Sequence, residues 1–180
     1  YNVVINGTAT AWHNQSINPN FVDREKLTKV IDLGDTGWVE LDWAFNNCTN
    51  LTSFKGGNTS AVTNMLAMFW GATSLLSADL SSFTTASVTS MGAMFRASGI
   101  TALDLSSFNT SAVTKMDGMF LDSDVSNLDI SSFDTTLVTD MSAMFEQTTY
   151  LTSLDITHFS TANVTDFRQM FKSAKVMTLD

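Results

Sequence analysis

An eight-residue pattern, Val-Thr-x-Met-x-x-Met-Phe, recurs along most of the chain and limits its fold more than any other feature. Copies lie at residues 62–69, 88–95, 113–120, 138–145 and 164–171, one every 25 or 26 residues, and a divergent first copy, WVELDWAF, lies at 38–45. A unit of this size cannot bury its own apolar face, so neighbouring units must stack on one another. The sequence therefore predicts a solenoid in which the repetition itself is the fold.

A second pattern, LxxLxLxxF, lies between these copies. It is present in ITALDLSSF at 100–108, VSNLDISSF at 125–133 and LTSLDITHF at 151–159. The spacing is that of a leucine-rich repeat, with Phe in the place usually held by Asn or Cys. In Leu103-Asp104-Leu105 the apolar residues alternate with a period of two, which predicts a short parallel strand with the leucines inward and the aspartate outward.

The apolar spacing changes within the eight-residue pattern. In the copy at 113–120, the apolar residues follow one another at intervals of three, three and one, which is typical of one face of a short helix. We therefore predict an α/β, leucine-rich-repeat-like solenoid with one short parallel strand and one short helix in each coil of 25 to 26 residues. The threonine after each Val would then be a helix N-cap, and the small residue before the final Met-Phe pair would let adjacent helices approach.

Equivalent residues of successive coils should form ladders along the stack, about 4.8 Å apart where they lie on parallel strands. The phenylalanines predict two such ladders, one of Phe83, Phe108, Phe133 and Phe159 and the other of Phe69, Phe95, Phe120, Phe145 and Phe171.

Composition and motifs exclude several classes of function. Eighteen acidic and nine basic residues give a net charge of -9, which repels phosphate backbones and argues against nucleic acid as a partner. The chain has one cysteine, Cys48, and no zinc-site spacing. No hydrolase motif or phosphate-binding loop is present, so we predict a protein that is not an enzyme. The sequence contains no run of eighteen apolar residues, so we do not predict that this segment inserts into a membrane.

A row of aspartates is not explained by packing. Asp79, Asp104, Asp129 and Asp155 fall at the outward position of successive strands, Asp180 continues the row, and Lys55 precedes it. Like charges on neighbouring strands are unfavourable, so something must compensate. One interpretation is a concave carboxylate face that binds a cation or a basic partner. The other is that the carboxylates accept hydrogen bonds from the hydroxyl residues around them, which are Ser106, Ser107, Ser131 and Thr157.

Three departures from the repeat mark further candidates. Trp70 follows the Phe of its copy where other copies have Arg96, Leu121 or Glu146, which predicts either a binding aromatic or a residue that covers the cap region. The stretch DSDVSN at 122–127 has alternating oxygen side chains like the start of a calcium loop, but it lacks the glycine and glutamate of that loop. The sequence stops within a coil, so either more repeats follow or the last coil exposes an unpaired edge through which two copies associate.

The stretch LDLSSFNTSAVTKMDGMF at 103–120, with its copies, resembles the repeats of BspA-like leucine-rich-repeat surface proteins of bacteria. DREKLTKVIDLGDTGWVELDWAFNNCTNLTSF at 23–54 is similar to the N-terminal cap of that family, and YNVVING at 1–7 is similar to the last strand of a polycystic-kidney-disease-type β-sandwich. The resemblance implies a cap and first coil at 8–50, repeats at 51–180 that stop within the last coil, and a secreted or surface-anchored protein without catalytic residues.

These observations predict a non-catalytic adhesion or recognition module that binds a host or environmental surface protein or glycan through its concave strand face. The alternative is a structural spacer that displays another domain away from the cell. No cofactor is expected, and calcium is the alternative left open. The candidate ligand-binding residues are Asp79, Asp104, Asp129, Asp155, Asn127 and Trp70.

Overall fold

The computed structural model describes residues 2–4, 24–35, 37–176 and 178–179. These residues form short parallel strands joined by turns, and a 3-10 helix lies at Arg24–Lys26. The strands are β1 (Asn2–Val4), β2 (Lys29–Asp32), β3 (Ser53–Lys55), β4 (Ala78–Asp79), β5 (Ala102–Leu103), β6 (Asn127–Leu128), β7 (Ser153–Leu154) and β8 (Thr178–Leu179).

Every strand pairs in parallel with the strand of the neighbouring repeat. Strands β1 to β4 form one sheet in chain order, β5 pairs with β6, and β7 pairs with β8. The register sets Lys55 opposite Asp79 and Leu103 opposite Leu128. Because equivalent positions are paired, the repeat units, which we call coils, stack in the order of the chain. The predicted boundaries at residues 7 and 50 stay predictions, and residues 8–23 and 36 of the predicted cap lie outside the described residues.

A second ladder runs along the stack, in the half of each repeat that contains the eight-residue pattern instead of the strand. It consists of single parallel bridges that link the third residue of each eight-residue pattern to its equivalent in the next coil. The residues of this ladder are Glu40, Asn64, Ser90, Lys115, Asp140 and Asp166. The bridges are therefore continuous along the described coils, including the two places where strand pairing does not join β4 to β5 or β6 to β7.

The predicted α/β fold is wrong, because the eight-residue pattern does not form a helix. In the described residues the only helical segment is the 3-10 turn named above. The N–H groups of Met65, Ala67 and Phe69 donate to carbonyls of the next coil at 2.8–3.0 Å. The N–H groups of Met68 and Trp70 donate three residues back, at 3.3 and 3.2 Å. The segment is thus a run of tandem turns in which every second N–H group bonds to another coil.

This turn geometry explains the small residues that the sequence suggested were helix contacts. Ala67, Ala93, Gly118 and Ala143 have φ between 51° and 56°, as tandem turns require. Side chains other than glycine rarely adopt this left-handed conformation, so the surrounding coils must enforce it. The predicted helix N-caps are likewise wrong. The threonines bond to the equivalent residue of the previous coil instead, which is Val39 for Thr63 and a threonine in the later coils. The Thr114 hydroxyl, for example, donates to the Thr89 carbonyl at 3.2 Å.

Hydrogen bonds between the turns of successive coils link peptide groups into rows that run along the described stack, and we call each row a string. In one string, Met65 donates to Ser90 O, Met91 to Lys115 O and Met116 to Asp140 O, each at 3.0 Å. Three more strings start in the first coil, at Trp43, Phe45 and Asn47. Each coil therefore contributes four peptide groups that all donate toward the C-terminal end of the stack.

One of the two predicted phenylalanine ladders is a continuous column of stacked rings. The centroids of successive rings are 5.5–5.8 Å apart and their planes are within 16° of parallel. The column contains Phe45, Phe69, Phe95, Phe120, Phe145 and Phe171. The prediction is confirmed and extends one ring further, to Phe45. The other ladder is buried at Phe83, Phe108 and Phe133, and a stacked pair within it joins Phe83 and Phe108 at 6.3 Å.

A column of buried threonines, which the sequence analysis did not identify, also runs along the stack. The Thr110 hydroxyl donates to the Asp134 carbonyl at 2.9 Å and accepts from the Asp134 N–H at 2.7 Å. The same pair of hydrogen bonds to the next coil recurs at the other members of the column, which are Thr59, Thr85 and Thr135. Each hydroxyl replaces a backbone partner inside the stack. The recurring threonine three residues before each Val was the signal for it.

Candidate binding face

The exposed side chains of the strands form the strand face, which we define by residues 53–55, 78–79, 102–104, 127–129 and 153–155. The predicted alternation is confirmed, because Leu80, Leu105 and Ile130 are buried while the aspartates beside them are exposed. The register of β3 and β4 sets Lys55 in the same row as Asp79, as predicted. The structure thus brings Asp79, Asp104, Asp129 and Asp155 into one row, and Asp180 lies outside the described residues.

Each of these carboxylates is held by the turn that follows its strand. Asp104 Oδ1 accepts from the Ser106 N–H at 3.0 Å and from the Ser106 hydroxyl at 2.6 Å. Asp155 makes the same pair of bonds with Thr157, at 2.9 and 2.7 Å. The predicted bonding to hydroxyl residues is therefore confirmed at Ser106, Ser131 and Thr157, although at Ser131 the backbone N–H is the donor, at 3.0 Å. Ser107 makes no such bond in the described structure.

These hydrogen bonds stabilise the charged form of the row. At Asp104 the Ser106 hydroxyl and N–H lower the pKa of the carboxyl, partly opposed by the charge of Asp129. At Asp129 the Ser131 N–H is the largest cause of the lowered pKa, again opposed by the next carboxylate, that of Asp155. The row therefore stays ionised at neutral pH despite the repulsion between neighbours.

A shallow depression of about 280 Å³ lies between two of these carboxylates. Its lining is Ala102, Leu103, Asp104, Asn127 and Asp129. The candidate Asn127 is therefore part of the same surface as the aspartates, and Leu103 adds a half-buried apolar floor that the sequence analysis did not include. The depression can take a polar group flanked by apolar carbon, such as the methylene stem and charged end of a basic side chain.

Trp70 lies away from this face and is enclosed by its neighbours. Its ring centroid is 5.2 Å from that of Trp43, and the Arg96 guanidinium carbon lies 4.4 Å from the ring centroid. Because Trp43 and Arg96 belong to the preceding and following coils, they occupy opposite faces of the Trp70 ring. Trp70 is half-buried, and its contact with Trp43 matches a residue that covers the cap region.

The oxygen side chains of the stretch at 122–127 do not converge. Ser123 is 2% exposed and points into the stack, whereas Asp122 and Asp124 are exposed. Throughout the described ranges, no three His, Cys, Asp or Glu side chains are grouped to hold a metal ion. None of the helices in those ranges has the length and hydropathy needed to cross a membrane.

The parallel pairing, the phenylalanine column and the strand face together define a repeat protein of stacked coils built from short strands and tandem turns. A family model described as Mycoplasma protein of unknown function, DUF285, matches residues 39–127 and again residues 97–180. The two matches together extend over the coils from the first eight-residue pattern onward, and the chain belongs to this family. No curated protein and no solved structure matches the chain.

Proposed function

We propose that this chain is a non-catalytic recognition and adhesion segment of a bacterial surface protein of the BspA-like kind, and that it binds a protein or glycan through the strand face. The observation that carries the proposal is the row of oriented carboxylates at Asp79, Asp104, Asp129 and Asp155. Each is exposed, ionised and fixed by the turn after its strand. Membership of the DUF285 family supports a surface repeat protein.

A fixed row of this kind favours particular ligand chemistry. The hydrogen bonds found for these four carboxylates use Oδ1, so Oδ2 can accept from a ligand. Paired parallel strands lie about 4.8 Å apart, and the pairing of β5 with β6 sets this spacing beside Asp104 and Asp129, which suits a ligand whose donors have a similar spacing. Basic side chains of an extended peptide and the hydroxyl groups of a glycan both meet this requirement. Little entropy is lost on binding, because the turns already orient the carboxylates.

The alternative is a solenoid spacer that holds another domain away from the cell. The continuous phenylalanine column and the four strings of hydrogen bonds favour it, because they tie every described coil to the next and make the stack stiff. A spacer and a binding module share this core, and they differ in whether the strand face contributes to affinity.

The test is an array of host glycoproteins and glycans, probed with and without calcium. The parent chain is compared with a triple variant carrying Asp104→Asn, Asp129→Asn and Asp155→Asn. Asparagine also forms the turn made by these aspartates, so the variant keeps the fold and loses three charges. The matched control carries Glu25→Gln, Asp35→Asn and Asp122→Asn, which removes three exposed charges elsewhere.

Binding that the strand-face variant loses and the control variant keeps would support recognition by this face. Binding should also weaken as the salt concentration rises, since the carboxylates are exposed. If the parent binds nothing on the array in either condition, or if both variants bind as the parent does, the strand face is not a recognition surface and the spacer function is favoured.

A further inference from the structure

A second depression, of about 440 Å³, lies beside the first described coils. Gly34, Gly56 and Gly57 line it, and we call it the glycine depression. The segment at 56–61, between a strand and the next eight-residue pattern, has six residues, whereas its equivalent at 80–87 has eight. Because the shorter segment begins with two glycines, it leaves a step beside the longer coil.

Packing requires the glycines that line the depression. A Cβ atom on Gly57 would lie 2.1 Å from the Gly34 carbonyl oxygen, and one on Gly56 would lie 2.7 Å from a carbon of the Phe83 ring. Both distances are far below van der Waals contact, so main chain alone lines this part of the depression. Strand β1 and the coil of β5 flank the coils that form it, so the depression lies within the stack and not at one of its ends.

Two carboxylates in the lining each have one oxygen already fixed. Asp32 Oδ1 accepts from the Gly34 N–H at 2.8 Å, and Asp35 Oδ1 accepts from the Asn58 side-chain amide at 2.8 Å. In the described structure Oδ2 of these two carboxylates accepts no hydrogen bond, so it can accept from a ligand. Since both donors also belong to the lining, the depression orients these carboxylates before a ligand arrives.

Potential donors complete the lining. The side chains of Lys55, Ser82 and Thr84 are exposed and line the depression. Within the described part of the chain, neither the Lys55 ammonium nor the two hydroxyl groups donate a hydrogen bond. The depression therefore combines two negative charges, one positive charge and two hydroxyl groups around a surface of main chain.

These groups favour a neutral ligand with several hydroxyl groups. A hydroxyl group can donate to a carboxylate and accept from an ammonium group, whereas an anionic or a cationic ligand meets a like charge in this lining. Hydrogen bonds in which one partner is charged are about twice as strong as those between neutral groups. The volume lies within the range of small-molecule sites, roughly 300–1,000 Å³, so a sugar ring can enter.

We propose that the glycine depression binds a neutral sugar unit of a glycan. The Asp32 and Asp35 carboxylates accept from adjacent hydroxyl groups of the ring, and the Lys55 ammonium donates to a third. This site rests on the proposed function, since the chain acts as a recognition module. It does not use the three carboxylates replaced in the strand-face variant, and Lys55 alone belongs to both surfaces.

The test is an NMR titration of the full chain with free glucose, galactose, mannose and N-acetylglucosamine, taken into the millimolar range. Glucuronic acid, glucosamine and free alanine are the anionic, cationic and zwitterionic probes. We expect at least one neutral sugar to shift the amide signals of Gly34, Gly57 and Asn58 and to leave those of Asp104 and Asp129 unchanged. The charged probes should shift the three signals less at the same concentration.

A matched pair of double variants locates the site. Asp35→Asn with Lys55→Gln removes one charge of each sign from the depression, and asparagine keeps an acceptor for Asn58. Asp122→Asn with Lys115→Gln makes the same two changes at exposed residues elsewhere, so both variants keep the net charge of the parent. We expect the first variant to weaken sugar binding by about tenfold or more and the second by less than about twofold. Circular dichroism verifies that both variants fold.

Any of four results would overturn the proposal. The first is the absence of shifts at the depression with every neutral sugar, and the second is equal sugar binding by the two double variants. The third is a larger effect of a charged probe than of any neutral sugar, which would assign the depression to that class of ligand. The fourth is loss of sugar binding in the triple Asp→Asn variant, which would assign the sugar to the strand face. Because that variant should otherwise bind sugar as the parent does, failure of this site and failure of the strand face are separate outcomes.

Discussion

Replacing Phe120 with leucine should destabilise the chain more than the same change at Phe133, a buried phenylalanine outside the column. Phe120 is fully buried, and its ring stacks on Phe95 and on Phe145, each with a centroid distance of 5.7 Å. An aromatic pair contributes about 0.5 to 1.5 kcal/mol beyond the area it buries. Because leucine removes both pairs, we expect a loss of about 1 to 3 kcal/mol in the free energy of unfolding from this cause.

The matched control is Phe133→Leu, which removes the same volume from a residue that is 2% exposed. No ring pair within the described residues includes Phe133, so its replacement measures the loss of apolar packing alone. Phe171→Leu gives an intermediate case, because Phe171 has one ring partner, Phe145. The assay is urea unfolding followed by tryptophan fluorescence and circular dichroism. Equal losses for the changes at Phe120 and Phe133 would refute the stabilising role of ring stacking.

Three further predictions test other parts of the structure. Thr110→Val should lower the free energy of unfolding by about 1 to 3 kcal/mol, because it leaves the Asp134 N–H and carbonyl without their buried partner. Urea unfolding measures this loss beside that of the exposed change Ser111→Ala, and equal losses for the two variants would contradict the prediction. The Cys48 thiol, whose pKa burial raises to about 12, should react with a thiol reagent at pH 8 only when urea unfolds the chain, and rapid labelling of the native chain would contradict this. In the folded chain the pKa of Asp104 is below its ordinary value of 3.8, so as the pH falls the carboxyl is protonated first in the unfolded chain. Stability should therefore fall as the pH drops from about 4 through the folded pKa. The triple Asp→Asn variant of the strand face should lose less stability over this range, and parallel curves of urea midpoint against pH for the two chains would contradict the assignment.

The parallel strands could be predicted from sequence because the evidence for them lies within a few residues. In Leu103-Asp104-Leu105 the side chains alternate, and the structure exposes Asp104 and buries Leu105. The phenylalanine column was equally accessible, because Phe120 and Phe145 recur at a fixed spacing. Stacking of like units converts a sequence period directly into contacts.

The tandem turns were mistaken for a helix because one coil does not contain the information that distinguishes them. Met116, Met119 and Phe120 have helical spacing, but the Met116 N–H bonds to Asp140 in another coil rather than to the preceding turn of a helix. Two local features argued against the helix. The segment is too short to be stable as an isolated helix, and it opens with two β-branched residues, Val113 and Thr114.

The candidate site could be predicted in part. The sequence located the row of aspartates and Asn127 but could not show that Asp104 is fixed by Ser106, because that bond depends on the turn after the strand. Trp70 was ambiguous for another reason. Its partners, Trp43 and Arg96, are separated from it by a whole coil in each direction, and only the register between coils brings them to its two faces.

The four strings of peptide groups have an electrical consequence. In each string the donors point the same way, from Met65 to Ser90, from Met91 to Lys115 and so on to the last coil. A peptide group carries a dipole of about 3.5 D, so four aligned groups give roughly 14 D per coil along the stacking axis. Such dipoles add, as they do along a helix, and every added coil increases the total. The N–H groups of the threonines after each Val donate the other way, as from Thr114 to Thr89, and cancel part of this dipole. The remainder makes the described stack polar, with its positive pole at the N–H groups of the last described coil and its negative pole at the carbonyls of the first.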